Sequence, residues 1–146
     1  MSRLKPAKVR YYIDADILGL GHVLARLRPD VTYPGDPGGV VHRKERPACI
    51  VEGPHQLDVD WIGPVSAMGW LIITRDGQIQ AHSAELNAVR KHGARMVALA
   101  TGQAHGTFEQ LEIVMCQWRA IAALLNQPGP FIYVASRTSL RAVSLG

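Results

Sequence analysis

Aspartate is the residue type whose positions in this chain could do chemistry together. Asp14 and Asp16 follow directly on the run Tyr11-Tyr12-Ile13. Asp58 and Asp60 precede Trp61-Ile62, and Asp76 closes Trp70-Leu71-Ile72-Ile73-Thr74-Arg75. Runs rich in β-branched and aromatic residues read as strands. In an open parallel α/β sheet the carboxyl ends of the strands line one edge, and ligands bind there. Two strands therefore deliver aspartate to that edge, and the amino end of the helix leading into the second can face it too. Up to five carboxylates gather near one point. Crowded carboxylates repel and isolated buried ones are costly, so such a cluster needs a cation. An all-oxygen set suits Mg2+ or Mn2+ rather than zinc. Each aspartate also has a plainer role. Asp14 or Asp16 can cap a helix beginning near Ile17, Asp58 or Asp60 can cap theirs, and Asp76-Gly77 can be a turn. Singly, the plain role is the better explanation; for all of them at one sheet edge it is not.

The elements that must position these acids alternate along the chain, as in a parallel sheet with crossover helices. Val9 to Ile13 reads as a buried strand. Leu20, Val23, Leu24 and Leu27 make a helical face that ends before Pro29. Val31 to Tyr33 is a short strand. Residues 34–57 are dense in glycine and proline and form a long loop, with Cys49-Ile50-Val51 as a candidate edge strand. A helix over 58–68 ends at Gly69, and Trp70 to Thr74 is a strand. Ser83 caps a helix that stops at Gly93, and Arg95 to Ala100 is another strand. Thr107 with Gln110 has capping-box spacing and opens a helix with the stripe Leu111, Val114, Met115, Trp118, Ile121, Ala122 and Leu125. Phe131 to Ala135 is the last core strand, followed by a short tail. The fold class expected is α/β: one domain over residues 1–146, a central, mostly parallel sheet and helices on both faces.

Composition narrows the partners. The 146 residues are 47% hydrophobic, enough for one core. Sixteen basic against twelve acidic residues give +4, an excess that permits a polyanionic partner without requiring one. The densest basic run, His42-Arg43-Lys44-Glu45-Arg46, is broken by its own glutamate and reads as a solvated loop. Cys49 and Cys116 match no zinc or redox spacing, and two lone cysteines with no signal peptide fit a reducing cytoplasm. The apolar stretch Ile113 to Leu125 contains Gln117 and Arg119, too short and polar to span a bilayer.

Tyr12-Ile13-Asp14, Asp58 before Trp61-Ile62, and Gly69 through Asp76 together resemble the PIN-like ribonuclease domains, especially the VapC-like branch found among bacterial toxins. The resemblance runs from about Val9 to Val134, in general pattern only after Gly93. Its most specific part is Thr74-Arg75-Asp76 with an aspartate eighteen positions before Asp76 opening a helix. It implies that Asp14, Asp58 and Asp76 bind one or two Mg2+ or Mn2+ ions that activate water for RNA hydrolysis. Thr74 and Arg75 would be their neighbours, with Asp16 and Asp60 supporting. It also implies an RNA substrate, a cognate antitoxin protein and a homodimer as partners. Pro64 would fall deep inside a helix begun at Asp58 and remove one of its hydrogen bonds, whereas a start at Asp60 lessens the loss. Family spacing favours Asp58; local physics leaves Asp60 open. Glu45, Glu52 and Glu85 match no assigned acid. Arg75 is a candidate phosphate contact or a plain strand-end arginine.

Asp14-Ala15-Asp16 after an apolar strand is also similar to haloacid-dehalogenase-like phosphatases. That family expects a small pair where Ile17-Leu18 stand, and late acids, but no aspartate follows Asp76. A response-regulator receiver needs a lysine at the last strand's end, where Arg137 stands. The alternative from another class is a PIN-like fold kept for protein binding with an incomplete metal site, against which the trio Asp14, Asp58 and Asp76 counts.

Overall fold

The computed structural model describes residues 4–53, 58–75 and 83–145, with the backbone alone at 58 and 59. Its larger sheet takes β2 (Tyr11–Ile13), β3 (Val31–Thr32), β6 (Leu71–Thr74), β7 (Arg95–Leu99), β8 (Phe131–Ala135) and β9 (Leu140–Val143). The spatial order is β3-β2-β6-β7-β8-β9, with every pair parallel except β8 with β9. Among the described residues, four α-helices connect them: α1 (Leu18–Leu27), α2 (Asp58–Ala67), α3 (Ser83–His92) and α4 (Thr107–Ala123). A second, three-stranded sheet joins β1 (Lys5–Pro6), β5 (Lys44–Arg46) and β4 (Gly39–Val41).

The strands alternate their side chains between two cores. Tyr11, Ile13, Leu71, Ile73, Val97 and Leu99 pack with Leu20 and Leu24 of α1 and Ile113, Val114 and Ile121 of α4. Tyr12, Ile72, Met96 and Ile132 pack on the other face, with Trp61, Ile62 and Val65 of α2 and Leu86 and Val89 of α3. Since each strand residue points opposite to its neighbour, a sheet covered on both faces needs continuous apolar runs, and the sequence supplies them. The expected α/β architecture is therefore present. α3 ends as its composition requires: Gly93 sits at φ 62°, and Ala94 N–H donates to the Val89 carbonyl at 3.0 Å, the six-residue closure that a left-handed glycine permits.

Several local expectations are corrected. Within residues 34–57 lies the β4–β5 hairpin, turned at His42 and Arg43, both at positive φ. The basic run there is not wholly solvated, because Arg46 is buried. Its guanidinium reaches both Asp36 oxygens at 2.7 and 3.2 Å and donates to the Ala25 carbonyl. Cys49-Ile50-Val51 forms no strand; Cys49 N–H bonds the Asp36 carbonyl instead. The tail after Ser136 contains β9, added antiparallel to the sheet edge.

At α4 the cap is Gly106 rather than Thr107, with no side-chain capping bond, and the Gln110 amide donates to the Ala104 carbonyl. The buried face runs through Gln110, Ile113, Val114 and Ile121, so Met115 is 66% exposed. A satisfied glutamine occupies a core position that apolar periodicity does not count. Finally, α2 begins at Asp58 and tolerates Pro64 inside it. Among the described residues no helix is long and apolar enough to cross a membrane.

Candidate active site

The sheet order creates the crevice that the carboxylates need. From β2 the chain passes through α1 outward to β3, then returns to β6 on the other side of β2. Chain direction across the sheet reverses between β2 and β6, and at such a switch point the loops splay apart at the carboxyl ends. The register sets Ile13 opposite Ile73, and Asp14 N–H continues the ladder by donating to the Ile73 carbonyl at 2.9 Å. Asp14 and Thr74 therefore stand level, side by side, at the crevice floor.

Asp14 is only 8% exposed. Its backbone is extended, at φ −65° and ψ 155°, and its Oδ1 accepts from Ala15 N–H at 2.6 Å, capping the 3-10 turn Ala15–Ile17. The plain capping role is therefore real, but it uses one oxygen. The other, Oδ2, accepts from the buried Thr74 hydroxyl at 2.9 Å. Asp16 lies exposed in the turn, with both carboxylate oxygens 3.3 Å from that hydroxyl, and its Oδ2 accepts from Arg75 N–H at 3.2 Å. Two carboxylates thus converge on one hydroxyl. A threonine has a single proton to donate, so Thr74 serves one carboxylate at a time, and Asp14 has the shorter contact. Two carboxylates held this close bring several oxygen donors together, the kind of atom a hard cation could take.

Arg75 reaches away from the acids. Its Nη1 donates to the Ala104 carbonyl at 2.9 Å and to the His105 carbonyl at 3.4 Å. Gln110 holds the same Ala104 carbonyl at 3.2 Å. The loop between β7 and α4 is thereby tied to the β6 end of the crevice. The sequence reading missed this brace, and its one signal was a glutamine on the buried face of an apolar helix. A side chain at Gly19 would meet the Thr107 hydroxyl, so α1 and α4 approach closely there.

The other expected acids are distributed differently. Asp60 is exposed on α2, and Glu45 and Glu52 are exposed on the long connection. Glu85 is 7% exposed in the first turn of α3. The Asp58 side chain and all of Asp76 lie outside the described residues. Among the described residues no group of three or more His, Cys, Asp or Glu is gathered to hold a metal ion. Asp14 and Asp16 bring two carboxylates together, and carboxylate oxygens are donors that Mg2+ or Mn2+ could take.

No curated protein and no solved structure matches the chain. A family model described as a PIN-like domain matches residues 10–101, from the start of β2 through β7, and so spans both Asp14 and Thr74. That match takes in more than half of the sequence and the whole crevice between β2 and β6. With a parallel sheet carrying acids at its switch point, the chain belongs to the PIN-like domain family, a generally nucleolytic one.

Proposed function

We propose that the protein is a divalent-metal-dependent endoribonuclease, with Asp14, Asp58 and Asp76 holding Mg2+ or Mn2+ and Asp16, Asp60, Thr74 and Arg75 supporting them. The observation that carries this reading is the convergence of Asp14 and Asp16 on the Thr74 hydroxyl at the sheet's switch point. Held by these residues, a divalent ion would supply Lewis-acid chemistry toward a phosphodiester and lower the pKa of a bound water. The chain's own part is to keep oxygen donors fixed. Asp14 is held at both oxygens, by its cap and by Thr74, which fixes its carboxylate in one geometry. Asp16 is oriented from the backbone by Arg75 N–H. The Arg75 guanidinium supports the site from outside it, bracing the loop before α4 against the end of β6.

A role as the toxin of a toxin–antitoxin pair, with RNA as substrate in the cytoplasm, belongs to the same proposal. The test is incubation of the purified protein with total RNA and manganese, beside Asp76→Asn. Cleavage that EDTA abolishes, manganese restores and the substitution removes is expected. Activity persisting in excess EDTA refutes the metal mechanism.

A second reading, a PIN-like protein-binding module, is favoured by the apolar groove between α1 and α4. That cavity of about 410 Å³ is lined by Leu24, Leu27, Val114, Met115 and Trp118, with Leu27 53% exposed. Manganese binding without cleavage of any RNA supports this second reading.

A further inference from the structure

The amino-terminal edge of the main sheet, opposite the carboxylates, gathers cations. A cavity of about 390 Å³ there is lined by Lys8, Arg10, Arg28, Asp30, His42 and Lys44. Four permanent cations face one carboxylate, and that carboxylate is already committed: Arg28 grips both Asp30 oxygens, at 2.9 and 2.8 Å. The side chains of Lys8, Arg10 and Lys44 are exposed and make no ion pair or hydrogen bond among the described residues. The fold nevertheless brings them together. Arg10 N–H bonds the Asp30 carbonyl, and β5 places Lys44 beside β1 on the segment leading to Lys8.

A second cavity of about 390 Å³ shares Lys8 and Arg10 and continues to Arg95, which is anchored on the Leu125 and Gly69 carbonyls. The two form one basic groove across the amino ends of β3, β2, β6 and β7. Four neighbouring strands span about 14 Å, longer than a single phosphate group.

We propose that this groove binds the phosphodiester backbone of single-stranded RNA at a site separate from the carboxylate crevice. The choice of RNA rests on the ribonuclease reading above; the groove itself does not. Lys8, Arg10 and Lys44 contact phosphates, so the site is electrostatic and indifferent to base sequence. Its distance from the chemistry follows from β2 itself. From Arg10 to Asp14 the strand runs four residues, about 13 Å. The groove therefore holds RNA beyond the bond that is cut.

The test is the binding of a fluorescent twelve-nucleotide poly-uridine by anisotropy, in EDTA so that metal-dependent cleavage does not intervene, over 50 to 200 mM salt. Single-stranded contacts each contribute about 0.7 to the slope of log affinity against log salt. The triple variant Lys8→Ala, Arg10→Ala, Lys44→Ala should lower the slope by about 2. It should accordingly escape a roughly 20-fold loss that wild type suffers over that salt range. A control, Lys91→Ala, Arg119→Ala, Arg141→Ala, removes the same charge from exposed positions elsewhere and should keep the wild-type slope.

If the triple variant does not fold, Lys8→Ala and Lys44→Ala singly should each lower the slope by about 0.7. Equal slopes in the groove and control variants, or no RNA binding by wild type, overturn the proposal. Inorganic tripolyphosphate, titrated separately, should bind more weakly than the RNA; tighter binding overturns the backbone assignment in favour of a compact phosphate. RNA binding in EDTA with no cleavage in manganese would refute the ribonuclease reading and leave the groove standing.

Discussion

Thr74→Val isolates the contact on which the crevice is built. Valine keeps the shape and β-branching that the end of β6 needs and deletes only the hydroxyl. Thr74 is 2% exposed, and its hydroxyl donates at 2.9 Å to a carboxylate that is itself buried. A hydrogen bond to a charged group is worth about 1.5–3 kcal/mol, and the acceptor left behind has little water to replace it. Asp16 adds to the cost, because the same proton also lies between it and Asp14 and offsets their repulsion. For a chain of this size, 1 kcal/mol moves the melting temperature by about 2–4 °C. Thr74→Val should therefore melt about 3–12 °C lower than wild type in EDTA, while Thr74→Ser, which keeps the donor, should recover most of the loss. Manganese should stabilise wild type and still stabilise the valine variant, since the carboxylates remain. Differential scanning calorimetry with and without manganese reads all of this. A valine variant that melts like wild type in EDTA would falsify the buried Thr74–Asp14 contact and, with it, the preorganised crevice.

Among the acids, Asp14→Asn should cost RNA cleavage far more than Asp16→Asn, because Asp14 is buried and doubly held while Asp16 is exposed. Asp58→Asn should likewise cost more than Asp60→Asn; equal losses within either pair, measured as initial cleavage rates, would contradict the assignment. Asp36→Ala should destabilise the protein by about 3–5 kcal/mol in urea, since it strands a buried Arg46 guanidinium. The double change Asp36→Leu, Arg46→Met should recover much of that loss, and a single variant indistinguishable from wild type would show that the hairpin is not anchored by the pair.

Cys116 is exposed and Cys49 buried, so a thiol reagent should modify one sulfur quickly and the second only on unfolding. Burial pushes the Cys49 thiol up, so the native state holds that proton longer than the unfolded chain does. Stability should then fall as pH rises above the ordinary thiol range, and Cys49→Ala should flatten that alkaline slope. Rapid reaction of both thiols at neutral pH would count against the buried position.

The parallel sheet was legible because burial on both faces forces continuous apolar strands, and Tyr11 to Ile13, Leu71 to Thr74, Arg95 to Leu99 and Phe131 to Ala135 each carry that pattern in consecutive residues. Asp14 and Thr74 were legible for the same reason: a strand's last residue is fixed by where its apolar run stops. Short-range chemistry likewise placed Gly69 and Gly93 at helix ends. What the sequence by itself could not decide depends on atoms far apart in the chain. Asp36 and Arg46 looked like loop and solvated run, and only the hairpin's docking on α1 buries them together. Gln110 looked like a capping partner, and only the Ala104 carbonyl beneath it turns it into a brace shared with Arg75. Lys8, Arg10 and Lys44 are unremarkable in a chain of sixteen basic residues. They become a site because β2 and β5 bring them to one sheet edge. Local propensity is written in neighbouring residues, whereas convergence of charges is a property of topology, and the order β3-β2-β6-β7 supplied it.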